Sequence, residues 1–396
     1  MPDSYIRFRV PADGDYLLEV EDRLRRGAPD YVYVIDAAPP EPIAEVTLDE
    51  RRRYEATVIE VPRGGRAAVL LTVARRDFGG DLQAEFPNLP PGVQADCRPL
   101  AANFNRIPVI FSASEEALSG SSLTPVSMKP VEEGKQLATR FQQQTWLIRG
   151  RNNFPVWSHY ADLAAVAVTE PLPFELSIDQ PKAPIVRGGQ QELRIHAHRK
   201  EGFEKPVAVR LLYHPPGLAS NNSRSIPAKQ DSADIPVTAN GNAALGKWTV
   251  TVIGELNDSG RVFTCTPFFT MEVVEPYFDM SLPTIAARQG DSVEMPIELH
   301  QRTPFEGAAR LELIRLPPGV TSAPIEITKD DTTATFHLTI DAQAQPGRHR
   351  GVSCQARLMV NGEPVLYTQA YVDVQVDRLP QPAKTALKPG ESRDPS

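Results

Sequence analysis

Two histidines, His196 and His198, stand two apart in a run where apolar and polar residues alternate. That spacing puts both imidazoles on one side of a β-strand, where they could hold a metal ion between them. Arg194 shares their side, while Leu193, Ile195 and Ala197 take the other. A fixed cation beside two histidines opposes a bound cation, so the pair reads as solvated strand surface. Two acidic pairs, Asp231 with Asp234 and Asp330 with Asp331, could hold Ca²⁺ at a domain end. Neither sits in an Asp-x-Asp-x-Asp-Gly loop, and each reads more simply as a turn. Gly-x-Ser-x-Gly, His-Glu-x-x-His, the Walker loop and Gly-x-Gly-x-x-Gly do not occur, so the common nucleophile, zinc and phosphate sites lack their signatures. Catalytic, metal-binding and cofactor residues are therefore expected to be none, although a dispersed triad leaves no sequence pattern.

Aromatic side chains supply the other candidate chemistry. From Lys129 to Asp162 a polar background carries Phe141, Trp146, Phe154, Trp157 and Tyr160. The economical reading is a hairpin extension packed on its own domain. The sharper one is a platform for carbohydrate or peptide, with Trp146, Trp157 and Tyr160 as the ligand contacts, since exposed aromatic rings carry much of the energy of interfaces.

The elements that would position these residues come from a unit written three times. Its copies are Arg63-Gly64-Gly65 with Phe78 and Pro90-Pro91-Gly92-Val93, Arg187-Gly188-Gly189 with Phe203 and Pro215-Pro216-Gly217-Leu218, and Gln289-Gly290-Asp291 with Phe305 and Pro317-Pro318-Gly319-Val320. The Phe precedes the first Pro by twelve residues in every copy. After each Phe the apolar residues fall on alternate positions: Leu82, Ala84, Phe86; Val207, Val209, Leu211; Ala309, Leu311, Leu313. Period two means a strand with one buried face, and the polar residues between argue for antiparallel sheets wet on one side. In Pro-Pro-Gly the second Pro sets φ for position i+1 of a turn and the Gly takes the positive φ of a type II turn. Further strands read Ile107, Val109, Phe111; Ala233, Ile235, Val237; Val293, Met295, Ile297, Leu299; and Ala334, Phe336, Leu338, Ile340. Pro296 inside one of them points to an edge. Short strands punctuated by Pro and Gly predict an all-β chain of tandem β-sandwiches.

The 396 residues suit three or four domains of about 100. A net charge of −8 argues against a nucleic-acid partner, and the clusters Arg23, Arg25, Arg26 and Arg51, Arg52, Arg53 read as solvated charge. Cys97, Cys265 and Cys354 fall one to a repeat, so no disulfide can form within a domain, and Cys354 shares the inward parity of Val352 and Ala356. No apolar run is long enough to span a membrane as a helix.

Taken in order, residues 1–43 predict a partial β domain with strands Tyr5–Val10, Tyr16–Val20 and Tyr31–Ile35. Phe8, Val10, Gly14, Asp15, Tyr16, Asp30 and Tyr31 resemble the last part of the pre-peptidase C-terminal domain. Sandwich one spans 44–172 with an insertion at 129–162, sandwich two 173–276 and sandwich three 277–376, and 377–396 is expected to be a disordered tail. Short Pro-containing junctions at Thr169–Pro173 and Val273–Pro276 predict a semi-rigid rod. The repeats resemble the tandem immunoglobulin-like modules that accompany pre-peptidase C-terminal domains in large secreted bacterial proteins. That resemblance implies export and a non-enzymatic spacer or adhesion role, with other proteins or surface glycans as partners. Met1-Pro2-Asp3-Ser4 has no charged and apolar leader, so the expectation is either a cytoplasmic chain or one whose leader, and an upstream domain, precede it. An accessory region of a secreted hydrolase is the competing expectation.

Overall fold

The computed structural model describes residues 6–21, 24, 26–29, 32–39, 41–221, 223–257 and 260–379. The first sandwich is built from β1 (Ile43–Leu48), β2 (Val58–Pro62), β3 (Arg66–Arg76), β4 (Leu82–Glu85), β5 (Val93–Asp96), β6 (Arg106–Ala113), β7 (Gly120–Thr124), β8 (Ser127–Pro130), β9 (Ala138–Arg149), β10 (Pro155–Ala161) and β11 (Ala164–Thr169). The second contains β12 (Phe174–Ile178), β13 (Ile185–Val186), β14 (Gly189–Arg199), β15 (Val207–Leu211), β16 (Leu218–Ser220), β17 (Arg224–Ile226), β18 (Ser232–Ala239), β19 (Gly246–Val250), β20 (Val252–Asn257), β21 (Arg261–Cys265) and β22 (Phe269–Val274). The third contains β23 (Phe278–Ser281), β24 (Ile285–Arg288), β25 (Ser292–Gln301), β26 (Ala309–Ile314), β27 (Val320–Ser322), β28 (Ile325–Ile327), β29 (Thr333–Ile340), β30 (Gly347–Val360) and β31 (Glu363–Asp377).

The second sandwich shows the plan most plainly. One layer runs β12-β14-β18-β16 and the other β17-β15-β20-β21, with β13 joined in parallel to β22. The third repeats it as β23-β25-β29-β27 against β28-β26-β30-β31, with β24 parallel to β31. Two antiparallel layers wired this way are the immunoglobulin arrangement. Alternation places the core: Met295, Ile297 and Leu299 are buried, whereas Glu294, Glu298 and His300 are exposed. Each such fully buried side chain contributes about 1.5–3 kcal/mol.

The Pro-Pro-Gly turn carries the chain from one layer to the other. In each copy the amide of the residue after Gly donates to the first Pro carbonyl (Val93 to Pro90, 3.0 Å; Leu218 to Pro215, 2.9 Å; Val320 to Pro317, 2.9 Å). Gly92, Gly217 and Gly319 take φ of 82°, 83° and 81°, as a type II turn requires at its third position. The turn then docks on a loop of the opposite layer, where Ser114, Asn240 and Asp341 donate their amides to the three Gly carbonyls. A methyl group on Gly217 would lie 2.4 Å from the Cα of Ala243, and one on Gly319 2.8 Å from that of Ala344. The same loops receive the first turn of the unit, since Arg187 Nε and Gln289 Nε2 donate to the carbonyls of Ala243 (2.8 Å) and Ala344 (2.7 Å).

Pro296 departs from the edge expectation, because β25 lies between β23 and β29. It is tolerated because β23 reaches only to Ser281 opposite Glu298, leaving the strand locally unpaired on that side.

The joints are more than linkers. At the first, Phe104 packs edge-on against Trp248, Arg52 donates to the carbonyl of Arg261 (2.8 Å), and Ala68 and Ile110 meet Ile253 and Cys265. Arg51, expected as solvated charge, is half-buried there instead: it donates to the Ala68 carbonyl (2.8 Å) and lies 4.8 Å over the Phe263 ring, and desolvation lowers its pKa. Arg23 and Arg25 lie outside the described residues. At the second joint, Gly189 and Gln190 of β14 pair with Tyr367 and Leu366 of β31, so one sheet crosses the boundary. Glu363 accepts from the amides of Lys182 (2.9 Å) and Ala183 (3.1 Å), and Ala183 and Val186 join the core of the third sandwich.

The strands expected over residues 5–35 do not form among the described residues. Ile6, Phe8, Val10, Leu17, Val20, Val32 and Val34 are exposed; Phe8 packs locally against Tyr16, and Arg7 reaches the first sandwich in an ion pair with Asp77. Alternation alone does not make a strand, because its amides and carbonyls also need a neighbouring ladder. Tyr5, Asp30 and Tyr31, and the expected tail from 380 onward, lie outside the described residues.

Candidate functional site

The insertion at 129–162 begins in the core and ends as a two-stranded ribbon. The first part of β9 runs parallel to β1, from Ala138 opposite Ile43 to Gln142 opposite Thr47, and Phe141 enters the first core. Gln143 and Thr145 are still buried, and Gln143 donates to the Thr57 carbonyl at 3.1 Å. From Gln143 onward β9 pairs with β10. Next to the ribbon's tip, Arg149, the last residue of β9, forms a largely buried ion pair with Glu50 and lies over the Tyr54 ring. At its tip a 3₁₀ turn, Arg151–Asn153, reverses the chain and the Gly150 amide donates to the Phe154 carbonyl (2.7 Å). Asn152 and Asn153 adopt φ of 57° and 60°, a conformation asparagine tolerates better than most residues.

The three aromatic candidates are placed differently. Trp146 is half-buried on β9, while on β10 Trp157 is 62% and Tyr160 54% exposed. Ser158 opposes Trp146 and Tyr160 opposes Gln144, and Gln144 Nε2 donates to both Ser158 Oγ (3.0 Å) and Tyr160 Oη (2.6 Å). Gln144, Trp146, Ser158 and Tyr160 therefore share one side of the ribbon, whereas Trp157 pairs with Ile148 and is separated from Ser158 by a register shift. All three rings fall in one stretch of sequence, and the pairing sets Trp146 and Tyr160 on one side. The ribbon further exposes Leu147, Ile148, Phe154 and Val156. Their signal in the sequence is faint, because a β-bulge displaces the register around Trp157.

The remaining candidates are held by ordinary partners. His196 meets Asp179 (3.1 Å), His198 meets Ser177 (2.6 Å), and Arg194 forms a two-pronged pair with Asp234 (2.9 and 3.0 Å). Asp331 accepts from the amide (2.6 Å) and hydroxyl (2.9 Å) of Thr328, closing a turn, and these bonds lower its pKa. Cys265 and Cys354 are buried, which pushes both thiols up to about 12. A cleft of about 320 Å³ at the first joint is lined by Arg63, Glu115, Phe174, Glu175 and Lys200, a mixture of charges that selects no ligand.

No protein-family model matches the chain, and no curated protein sequence matches it. Solved structures that align with it include the fibronectin(III)-like modules of Clostridium thermocellum CbhA (13% identity, 55% of this chain and 100% of that one, TM-score 0.20). Others are the D0–D1 domain of intimin (12%, 51% and 94%, 0.18) and the FN1–FN3 domains of chicken CNTN1 (12%, 85% and 100%, 0.19). The fold is assigned on the layer topology above, since likenesses this distant carry no conclusion about activity. No helix among the described residues is long and apolar enough to cross a membrane.

Proposed function

We propose that the chain is a non-enzymatic spacer of immunoglobulin-like domains in a secreted or surface protein, with the β9–β10 ribbon as its adhesive contact. The observation that carries this reading is the pairing of β14 with β31, by which one sheet bridges two sandwiches and fixes their relation. A spacer needs joints that hold distance, and here each joint is a packed interface. Gly189 is the residue on which the second joint turns: a methyl group there would stand 2.5 Å from the Leu366 carbonyl oxygen. Small-angle X-ray scattering of the wild type should give one narrow distance distribution, and Gly189→Val should broaden it. Equal breadth for both would remove the spacer reading.

The second reading is an accessory carbohydrate-binding region of a secreted hydrolase. It is favoured by Trp146 and Tyr160 on one side of the ribbon beside the amide of Gln144 and the hydroxyl of Ser158, since a ring face with flanking hydrogen-bonding groups suits a sugar. Glycan-array binding lost in Tyr160→Ala would support it.

A further inference from the structure

Resting on the reading of the ribbon as a contact surface, we propose that its partner is a second copy of this chain, joined by antiparallel pairing of β10 with β10 about a two-fold axis at Ser158. The strand is the outer member of a six-stranded sheet ordered β10-β9-β1-β3-β6-β5, and its backbone ladder among the described residues runs to β9 alone. Exposed edges invite pairing, and proteins blunt them with shortness, charge, proline or a bulge; on β10 the irregular pairing is confined to Pro155–Ser158, and Ser158–Ala161 is regular. The outer strands β16, β17, β27 and β28 are three residues each, and β5 is four. β10 has seven, and from Val156 to Ala161 it contains no Asp, Glu, Lys, Arg or Pro. It also presents exposed Val156, Trp157 and Tyr160, with exposed Phe154 at its start.

The strand complements itself. A two-fold axis at Ser158 sets Val156 opposite the partner's Tyr160 and Trp157 opposite the partner's His159. A β-branched side chain against an aromatic one is a favourable cross-strand pair. No like charges meet along the pairing, because the charges lie at its ends: Arg151 at the tip and Asp162 just past the strand. The same axis sets Asp162 opposite the partner's Phe154, three residues from Arg151 in the turn, at both ends. The interface is isologous, so it closes at two chains instead of growing into a fibre.

Sedimentation velocity of the full chain over a concentration series should show a monomer–dimer equilibrium. Trp157→Lys and Tyr160→Lys should abolish the dimer while leaving the thermal melt in place. Arg151→Asp should weaken it, and adding Asp162→Arg should restore it. Ser158→Cys should give a disulfide-linked dimer on a non-reducing gel, since Cβ atoms of directly opposed residues lie within disulfide reach, whereas the wild type with its three native thiols should give none. A chain that stays monomeric at every concentration and whose Ser158→Cys variant does not cross-link would overturn the pairing. So would a dimer indifferent to Trp157→Lys. A monomer that binds a glycan through Tyr160 would overturn the pairing yet keep the ribbon as contact surface, and a monomer that binds none would remove both.

Discussion

The ring of Phe104, on the loop before β6, stands edge-on to the indole of Trp248 in the next sandwich with centroids 4.5 Å apart. Phe104 packs against the first and the second core at once, and Trp248 Nε1 donates to the Ala244 carbonyl (3.1 Å). An aromatic pair of this geometry adds about 0.5–1.5 kcal/mol beyond its buried area. Phe104→Ala should therefore lower the midpoint of urea unfolding of the first two sandwiches and shift the Trp248 fluorescence to the red. An unshifted spectrum would mean that the indole is covered by its own domain alone.

Phe305 is the buried member of the repeated trio, packed on Phe278 with centroids 5.6 Å apart, while Phe203 is half-buried between Phe174 and the Arg199 guanidinium. Truncation of a buried Phe costs about 3–5 kcal/mol. Phe305→Ala should show that loss in a urea melt, and Phe203→Ala a smaller one. A loss below about 1 kcal/mol for Phe305→Ala is the size expected of a surface residue and would contradict its place in the core.

Gly217 and Gly290 both have φ of 83°, but a methyl group on Gly217 meets the Ala243 backbone while one on Gly290 meets nothing within 4 Å. Left-handed backbone costs a non-Gly residue roughly 1–2 kcal/mol. Gly290→Ala should cost about that, and Gly217→Ala clearly more, because the docked turn must also move away. Equal chemical-denaturation midpoints would show that the docking yields without resistance.

Hydrogen bonds from Arg194 hold the Asp234 carboxyl below its ordinary pKa. A folded pKa below the unfolded value stabilises the fold above the unfolded pKa, and that contribution fades as pH falls through the folded one. The second sandwich should thus lose stability as pH drops below roughly 4. Asp234→Asn should flatten that part of the stability–pH curve and leave neutral pH nearly unchanged, as expected for a largely exposed pair.

Much of the fold was legible because it is local. Pro91, Pro216 and Pro318 pre-set one turn position and the following Gly the next, so the three turns and the strands before them follow from short-range stereochemistry. The joints did not, because Ala183 and Val186 belong to one sandwich by sequence and to another by packing. Phe104 lies in a polar loop without period, and Arg51 looks like surface charge until Phe263 covers it. The opposite failure is at Phe8 and Val10, whose alternation matches that of Leu311 and Leu313 but which find no ladder. For the ribbon, aromatic content was visible, and the side each ring takes depended on a bulge.

Cys265 is buried where the first sandwich meets the second, packed with Ala68 and Ile110 from across the boundary. An alkylating reagent reaches it only while those two surfaces are apart, so the joint carries a native stopwatch. The labelling rate of that one sulfur, followed by mass spectrometry, reads how often the two modules separate, and a tensile load on the chain would quicken it.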